Sequence, residues 1–378
     1  MGSMLNNPAL ADVARQPRGL AIINGVTVTG LVSFDVDNNS FYQADTFRAT
    51  IALSAQPQAT NWAWWASQKS MALELFAGFP PDPDNYTKSD LQSLILGNID
   101  EIEIDPVADE ITVTGRDFTS KFIDAQTNEK FMNLTSSAIV AKIAARHGMK
   151  TVISETTVKA GNYYTIDQVR LTKRQSEWDL VTYLANQEDF SVYVKGNTLY
   201  FNKKASVNDD PYVIQWQQST DTRSYSVLNA ISINFSRNLT LAKDIAVIFA
   251  SSNPKTKKPY TVKRTATHTK NTLINGATQA AGEVQTYFRS KPGLTVQETI
   301  RRAESLLREL TAHEIKLHVE MPADTILGTQ NIIKVVGTGT AFDQVYFPDS
   351  ITRSYGLSSG YRMSVSAKNH SVESEIAG

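Results

Sequence analysis

Hydrophobic residues recur along this chain with two different periods, and the switches between them divide it into three parts. From Arg18 onward strict alternation dominates. AIINGVTV centres on Asn24-Gly25, a pair that accepts the positive φ values of a type I′ turn, and so predicts a hairpin. Thr46–Leu53 places Phe47, Ala49, Ile51 and Leu53 on one face of a strand. ATNWAWWASQK breaks the alternation with a short helix, capped by Thr60 or Asn61, that sets Trp62, Trp65 and Ala66 on one side. Met71, Leu73 and Leu75 return to a period of two. Beyond a loop at Pro80–Asp90, Leu94–Ile104 and Glu110–Gly115 read as strands joined through Asp105-Pro106.

The middle changes period. Thr135 caps a helix through His147 whose stripe is Ile139, Val140, Ile143 and Ala144, with Gly148 ending it. Ser176 caps a second helix, with Asp179 at the capping-box position and Trp178, Val181 and Ala185 on one face. After Phe190 the period returns to two. A Gly196-Asn197 turn of type II′ pairs Val194 with Leu199 and Val192 with Phe201, and sets Tyr193 opposite Tyr200.

From about Asn229 strands return, with Ile231, Ile233 and Phe235, then Ile245, Val247 and Phe249, in alternation. SSNPKTKKPY and KNTLINGATQAAG read as loops. Thr295 and Glu298 form a capping box that opens the longest helix, buried through Ile300, Ala303, Leu307 and Leu310. A strand follows at once, with Ile315, Leu317, Val319 and Met321 inward and Glu314, Lys316, His318 and Glu320 outward. Ile332–Val336, Val345–Phe347, Ser350–Tyr355 and Tyr361–Ala367 complete a sheet, the last two joined by GLSSG. Both outer parts thus show early strands, a helix, an alternating strand and a closing hairpin, which predicts a structural duplication.

At 378 residues the chain is long enough for two or three domains, and 41% apolar and 20% charged residues suit a packed core. A formal net charge of −1 gives no global field that would recruit nucleic acid or an anionic membrane. The absence of cysteine excludes disulfides and thiolate metal sites. There is no apolar run of transmembrane length and no basic-then-apolar leader, and Met1-Gly2-Ser3 reads as a tag before a native Met4.

Candidate chemistry is sparse. Of five histidines, His147 sits in a last helical turn, where capping explains it. His313 and His318 are five apart across a helix-to-strand junction, unlike a helical zinc pair. In IDEIEID, a strand sets Glu101, Glu103 and Asp105 on one face and Asp100 with Ile102 and Ile104 on the other. That is an acidic solvated face, and these three residues are candidates to line an acidic channel. Lys255, Lys257, Lys258, Lys263 and Arg264 form a basic cluster, either a solvated loop or a contact for an acidic partner or passing DNA. Of Trp62, Trp64 and Trp65, two read as core and one as exposed, and Trp64 is taken with Lys255, Lys257 and Lys258 as the candidate interface set. No catalytic residue, cofactor or metal is expected.

ITVTGRDFTSKFIDAQTNEKFMNLTSSAIVAKIAARHGM resembles the phage late control gene D and contractile-tail baseplate hub family. The matching residues are Gly115, Arg116, Asp117, Ile123, Asp124 and the Ala144–Gly148 turn. Ser176-x-Trp178-Asp179 with its hairpin, the Thr295–Leu310 helix followed by a strand and Pro322, and the hairpin around GLSSG extend the resemblance over Arg18–His370. LGTQNIIKV stands where the family has a Pro-Gly-Asp turn. The resemblance implies an α+β, predominantly β fold: two similar tube-like β-barrel domains (18–120 and 223–378) flanking a small α+β domain (121–222), after a flexible arm or tag (1–17). It also implies a homotrimer whose six β units meet a hexameric tail tube, with the central spike a separate polypeptide, other baseplate proteins as neighbours and DNA only in transit. The location implied is the virion tail baseplate, reached from the host cytoplasm. A hub with cell-wall hydrolase or peptidoglycan-binding activity, or the hub of a tailocin or secretion apparatus, is the alternative.

Overall fold

The computed structural model describes residues 4–7, 16–40, 42–129, 131, 133–160, 175–219, 225–237, 245–253, 256–267, 285–311, 315–369 and 375–377. The chain is predominantly β. Strands β1 (Arg18–Ile23) and β2 (Val26–Val28) form the hairpin expected from Asn24-Gly25, whose φ values are 48° and 85°. Next come β3 (Leu31–Asn39), β4 (Thr46–Ala52), β5 (Ala72–Gly78), β6 (Gln92–Asp105) and β7 (Glu110–Asp117). Helix α1 (Trp62–Ser67) lies between β4 and β5, and its cap is Asn61, whose side chain accepts from the Trp64 N–H. Alternation decides the inward face: Phe47, Ala49, Ile51, Leu73 and Leu75 are all buried.

The central unit contains α2 (Thr119–Asp124), the short bridges β8 (Gln126–Thr127) and β9 (Leu134–Thr135), α3 (Ser136–Arg146), β10 (Lys150–Ile153), β11 (Lys159–Ala160), β12 (Gln175–Ser176), α4 (Glu177–Glu188), β13 (Phe190–Lys195) and β14 (Thr198–Lys203). The caps at Thr135 and Ser176 are as expected. The β13–β14 hairpin has the expected register, with Val192 opposite Phe201 and the Tyr193 and Tyr200 rings stacked 4.8 Å apart. Ile139, Val140, Ile143, Leu180, Val181, Leu184, Leu199 and Phe201 share a core separate from that of the large sheet. Two bonds tie the unit to the first block: the Trp178 indole N–H donates to the Tyr42 carbonyl (2.7 Å) and the Tyr42 hydroxyl to the Phe190 carbonyl (2.9 Å).

The remainder comprises β15 (Pro211–Gln217), β16 (Val227–Leu228), β17 (Ser232–Arg237), β18 (Ile245–Ser252), β19 (Pro259–Thr267), β20 (Gln285–Ser290), α5 (Val296–Thr311), β21 (Ile315–Pro322), β22 (Ile332–Val336), β23 (Val345–Gly356), β24 (Gly360–Asn369) and β25 (Glu375–Ala377). β23 carries a bulge at Pro348–Ser350 and so unites two segments that read as separate strands. β18, β19, β20 and β25 form their own sheet under α5, whose Ala303 and Leu307 pack on Ile245 and Val247.

All other long strands outside the central unit belong to one 14-stranded sheet. The first block is ordered β3-β4-β7-β6-β5-β1-β2 and the second β17-β21-β24-β23-β22-β15-β16. Counted along the chain, both read third, fourth, seventh, sixth, fifth, first, second, with β18–β20 and α5 inserted between third and fourth in the second block. One pair differs in sense: β1 and β5 are antiparallel, β15 and β22 parallel. The helices are not equivalent landmarks. α1 precedes the fifth strand of its block and α5 the fourth of its own, so matching the blocks by their helices misplaces them by one strand.

β15 lies upstream of residue 223, where the second β domain is expected to start, yet it pairs with β22 and buries Tyr212 and Ile214 in the large core. The N-terminal arm also has a docked portion. The Leu5 N–H donates to the Pro211 carbonyl (3.0 Å), and the Asn6 amide accepts from the Val213 N–H (2.7 Å) and donates to its carbonyl (3.0 Å). Asn6 thereby extends the cover of the outer β15 edge, which Asn229 bonds at Val213 and Gln215. Asn6→Ala is expected to cost about 1–2 kcal/mol, because it leaves the N–H of the buried Val213 without its acceptor, while the Val213 carbonyl keeps the Asn229 amide (3.0 Å). Urea unfolding at constant m-value measures this, and no change in midpoint would show that the arm docks without contributing.

Candidate functional site

The two blocks meet where β3 pairs antiparallel with the distal half of β23, Ser350–Gly356. On the solvent face of this seam, hydroxyls donate to carboxylates: Thr352 to Asp37 (2.5 Å) and Ser354 to Asp35 (2.6 Å). On the core face, Phe34 stacks on Tyr355 with ring centroids 5.2 Å apart. Arg353, only 3% exposed, donates to the Asn38 side chain (2.7 Å), to the Asp324 carbonyl (2.9 Å) and to the Leu327 carbonyl. One buried guanidinium thus ties a strand of each block to the 324–327 loop. Asp324 in turn accepts from the Tyr212 hydroxyl (2.6 Å).

Gly115-Arg116-Asp117 closes β7 and each residue has a distinct task. A Cβ on Gly115 would lie 2.0 Å from the Asn98 carbonyl oxygen, so only glycine permits this β6–β7 approach. Arg116 binds Asp100 through two nitrogens (2.7 and 3.0 Å) and reaches Asp124 at 3.3 Å. Asp117 is buried and accepts from the Thr119 N–H (3.1 Å) and hydroxyl (2.9 Å), which starts α2.

Burial, reinforced by the nearby Asp45 carboxylate, pushes the Asp117 carboxyl well above the usual range. A group raised on folding stabilises the protein fully below its unfolded pKa, and this contribution is lost as pH rises through the folded value. Asp117→Asn keeps the acceptor for the Thr119 N–H and offers a donor to the Thr119 hydroxyl. The variant should therefore match the parent near about pH 4 and gain on it progressively toward about pH 8. Thermal melts across that range decide the matter, and a gap that does not change with pH would contradict the assigned ionisation.

Sequence reading missed the partner of His147. Glu177, 4% exposed, is held between His147 Nε2 (2.5 Å) and Arg146 Nη1 (2.8 Å), while its N–H donates to the Ala125 carbonyl. Nothing local signals this, because Glu177 reads as an ordinary first-turn acid.

The candidate interface residues are scattered. The solvent-facing tryptophan is Trp62, 56% exposed, whereas Trp64 is half-buried against the core and edge-on to the buried Trp65. A six-residue helix turns Trp64 and Trp65 inward together, and this leaves Trp62 outside. Lys257 and Lys258 are exposed in the turn between β18 and β19, with Lys257 in a left-handed conformation (φ 58°). Arg264 instead pairs with Glu304 at 3.1 Å. Lys255, His268, His313, Glu314 and His370 lie outside the described residues.

Glu101, Glu103 and Asp105 are exposed on one face of β6, as expected. Asp100 is not on the core face: a bulge at Ile99–Glu101 turns it out to Arg116 and reverses the inward parity from Ile95, Gly97 and Ile99 to Ile102 and Ile104. Beside this half of β6 lies a cleft of about 500 Å³ lined by Trp65, Met71, Ile99, Ile102 and Ile104. Among the described residues, no three His, Asp or Glu side chains gather as metal ligands.

Neither a protein-family model nor a curated protein sequence matches the chain. Solved structures do. The tail protein from Neisseria meningitidis MC58 superposes with a TM-score of 0.65 at 13% identity, over 95% of this chain and 98% of that one. The 43 kDa tail protein of prophage MuSo2 from Shewanella oneidensis gives 0.61 at 12% identity, over 93% and 98%. The chain has the phage tail-protein fold. The prophage tail protein gp18 from Listeria monocytogenes EGD-e shares the tail-protein fold, with a TM-score of 0.57 at 10% identity over 93% and 95%. These likenesses converge with the resemblance to baseplate hub proteins drawn from Gly115-Arg116-Asp117 and Ser176-x-Trp178-Asp179.

Proposed function

We propose that the chain is a structural baseplate hub of a phage tail or tail-like injection particle. Three copies form a ring that adapts a hexameric tail tube to a three-fold central spike. The observation that carries this reading is the repeated strand order: one chain holds two blocks built in the same sequence of seven strands. Three chains then offer six similar units on one side while keeping three-fold symmetry on the other. The tail-protein fold supports placement in a virion baseplate, among tube, spike and other baseplate proteins, with DNA passing only in transit and host cytoplasm as the place of assembly.

Light scattering of the purified chain tests the stoichiometry directly. A mass three times the 41.8 kDa protomer supports the ring, and axial images of the particle should show six lobes. A chain that stays monomeric at high concentration counts against the reading.

A further inference from the structure

The seam between the two blocks has an unfilled counterpart. In the shared strand order β23 corresponds to β6, and β3 to β17. β23 is used in two halves on one edge: Val345–Tyr346 against β22 and Ser350–Gly356 against β3. β6 is divided in the same way. Its Gln92–Asn98 half pairs with β5, and from Glu101 to Asp105 the same edge has no strand partner among the described residues. β17 pairs only with β21 among them. Among the described residues the ladder β17-β21-β24-β23-β3-β4-β7-β6 therefore ends on two open edges, each the equivalent of one already joined in its middle.

We propose that these ends join head to tail between copies of this chain, with β17 of one protomer adding antiparallel to the distal half of β6 of the next. The inference rests on the ring reading and specifies how that ring closes. The register follows from the turn ends of the hairpins. In the internal seam Thr352 faces Asp37 and Ser354 faces Asp35. Matching the β6–β7 and β23–β24 hairpins at their turns, Asp105–Glu110 with Gly356–Gly360, sets Glu101 and Glu103 in the places of Thr352 and Ser354, whereas matching the bulges at Asp100 and Asp349 would shift the register by two. Aligning β3–β4 with β17–β21 sets Asn234 and Ser232 in the places of Asp37 and Asp35.

Glu101 thus meets Asn234 of the next copy and Glu103 meets its Ser232. Each pair again joins a carboxylate to a donor, with the two roles exchanged between strands. On the core face Ile102 meets Ile233 and Ile104 meets Ile231, which is 53% exposed in the single chain. The 500 Å³ cleft beside β6 leaves room for the incoming edge. Two β6 edges, by contrast, would oppose acid to acid and repel. Glu101 and Glu103 would then line the seam on its solvent face, next to any channel.

The chain contains no cysteine, so engineered thiols report without background. Directly opposed antiparallel residues bring their Cβ atoms within reach of a disulfide. The full-length Glu103→Cys/Ser232→Cys variant should oxidise to a covalent species of three protomer masses that reverts on reduction. Mixing the two single variants should give a covalent dimer. Glu103→Cys alone should give none, and neither should Glu103→Cys with Ser236→Cys, the pair that matching the two bulges would oppose. Parallel light scattering separates the failures. A trimer that links only at the wrong pair, through Glu103→Cys alone, or not at all overturns the junction and leaves the ring standing. A monomer overturns both.

Discussion

Gly115→Ala should destabilise the chain by about 3–5 kcal/mol, or prevent folding outright, through overpacking that the ladder cannot relax. The added Cβ would lie 2.0 Å from the Asn98 carbonyl oxygen and 2.5 Å from the Phe47 ring. A ring can move, but that oxygen belongs to the β6–β7 ladder. Gly97, opposite Asp117 two residues along the same ladder, has the same restriction, since a Cβ there would lie 2.1 Å from the Arg116 carbonyl oxygen. Gly25→Ala is the matched control. It has a φ of 85° and nothing within 4 Å of the added carbon, so only the backbone preference is lost, about 1–2 kcal/mol. Adding Phe47→Leu to Gly115→Ala should recover little, because the carbonyl contact persists. Equal losses at Gly25 and Gly115 in denaturant titrations would sink the steric account.

Arg353→Met should cost a comparable amount, about 3–5 kcal/mol, because it leaves the Asn38 side chain and the Asp324 and Leu327 carbonyls without their donor. The effect should be greater than that of losing a surface ion pair, which is worth about 0–1 kcal/mol. Arg353→Lys retains the charge but not the planar fork that serves three acceptors, and should recover only part of the loss. Since Arg353 joins β23 to β3 through Asn38, the variant should also separate the unfolding of the two blocks. A broadened or two-step transition in calorimetry is the expected signature. A single sharp transition at the parent midpoint would show that the seam is held by β3–β23 pairing alone.

What was legible from residues alone is local. The Asn24-Gly25 and Gly196-Asn197 turns, the caps at Asn61, Thr135, Ser176 and Thr295, and the inward faces of β4 and β21 follow from φ preferences, orphan N–H groups and alternation, which act over a few residues. The Gly115-Arg116-Asp117 triplet stands out as a pattern, although the backbone approach that demands its glycine does not. The likeness of the two outer parts was visible, but only as a succession of element types.

Pairing across the chain was decided elsewhere. That β15 joins the second block, that Leu5 and Asn6 cap its edge, that Glu177 lies between Arg146 and His147, and that α1 and α5 sit in different loops all depend on residues far apart in sequence. Strand order is a competition among edges that look alike to any one strand, and no local period records its outcome. Even β6 shows the division: its alternation predicts the acidic face, while one bulged residue, visible only against β7, turns Asp100 outward to Arg116 and brings both groups of isoleucines to the core.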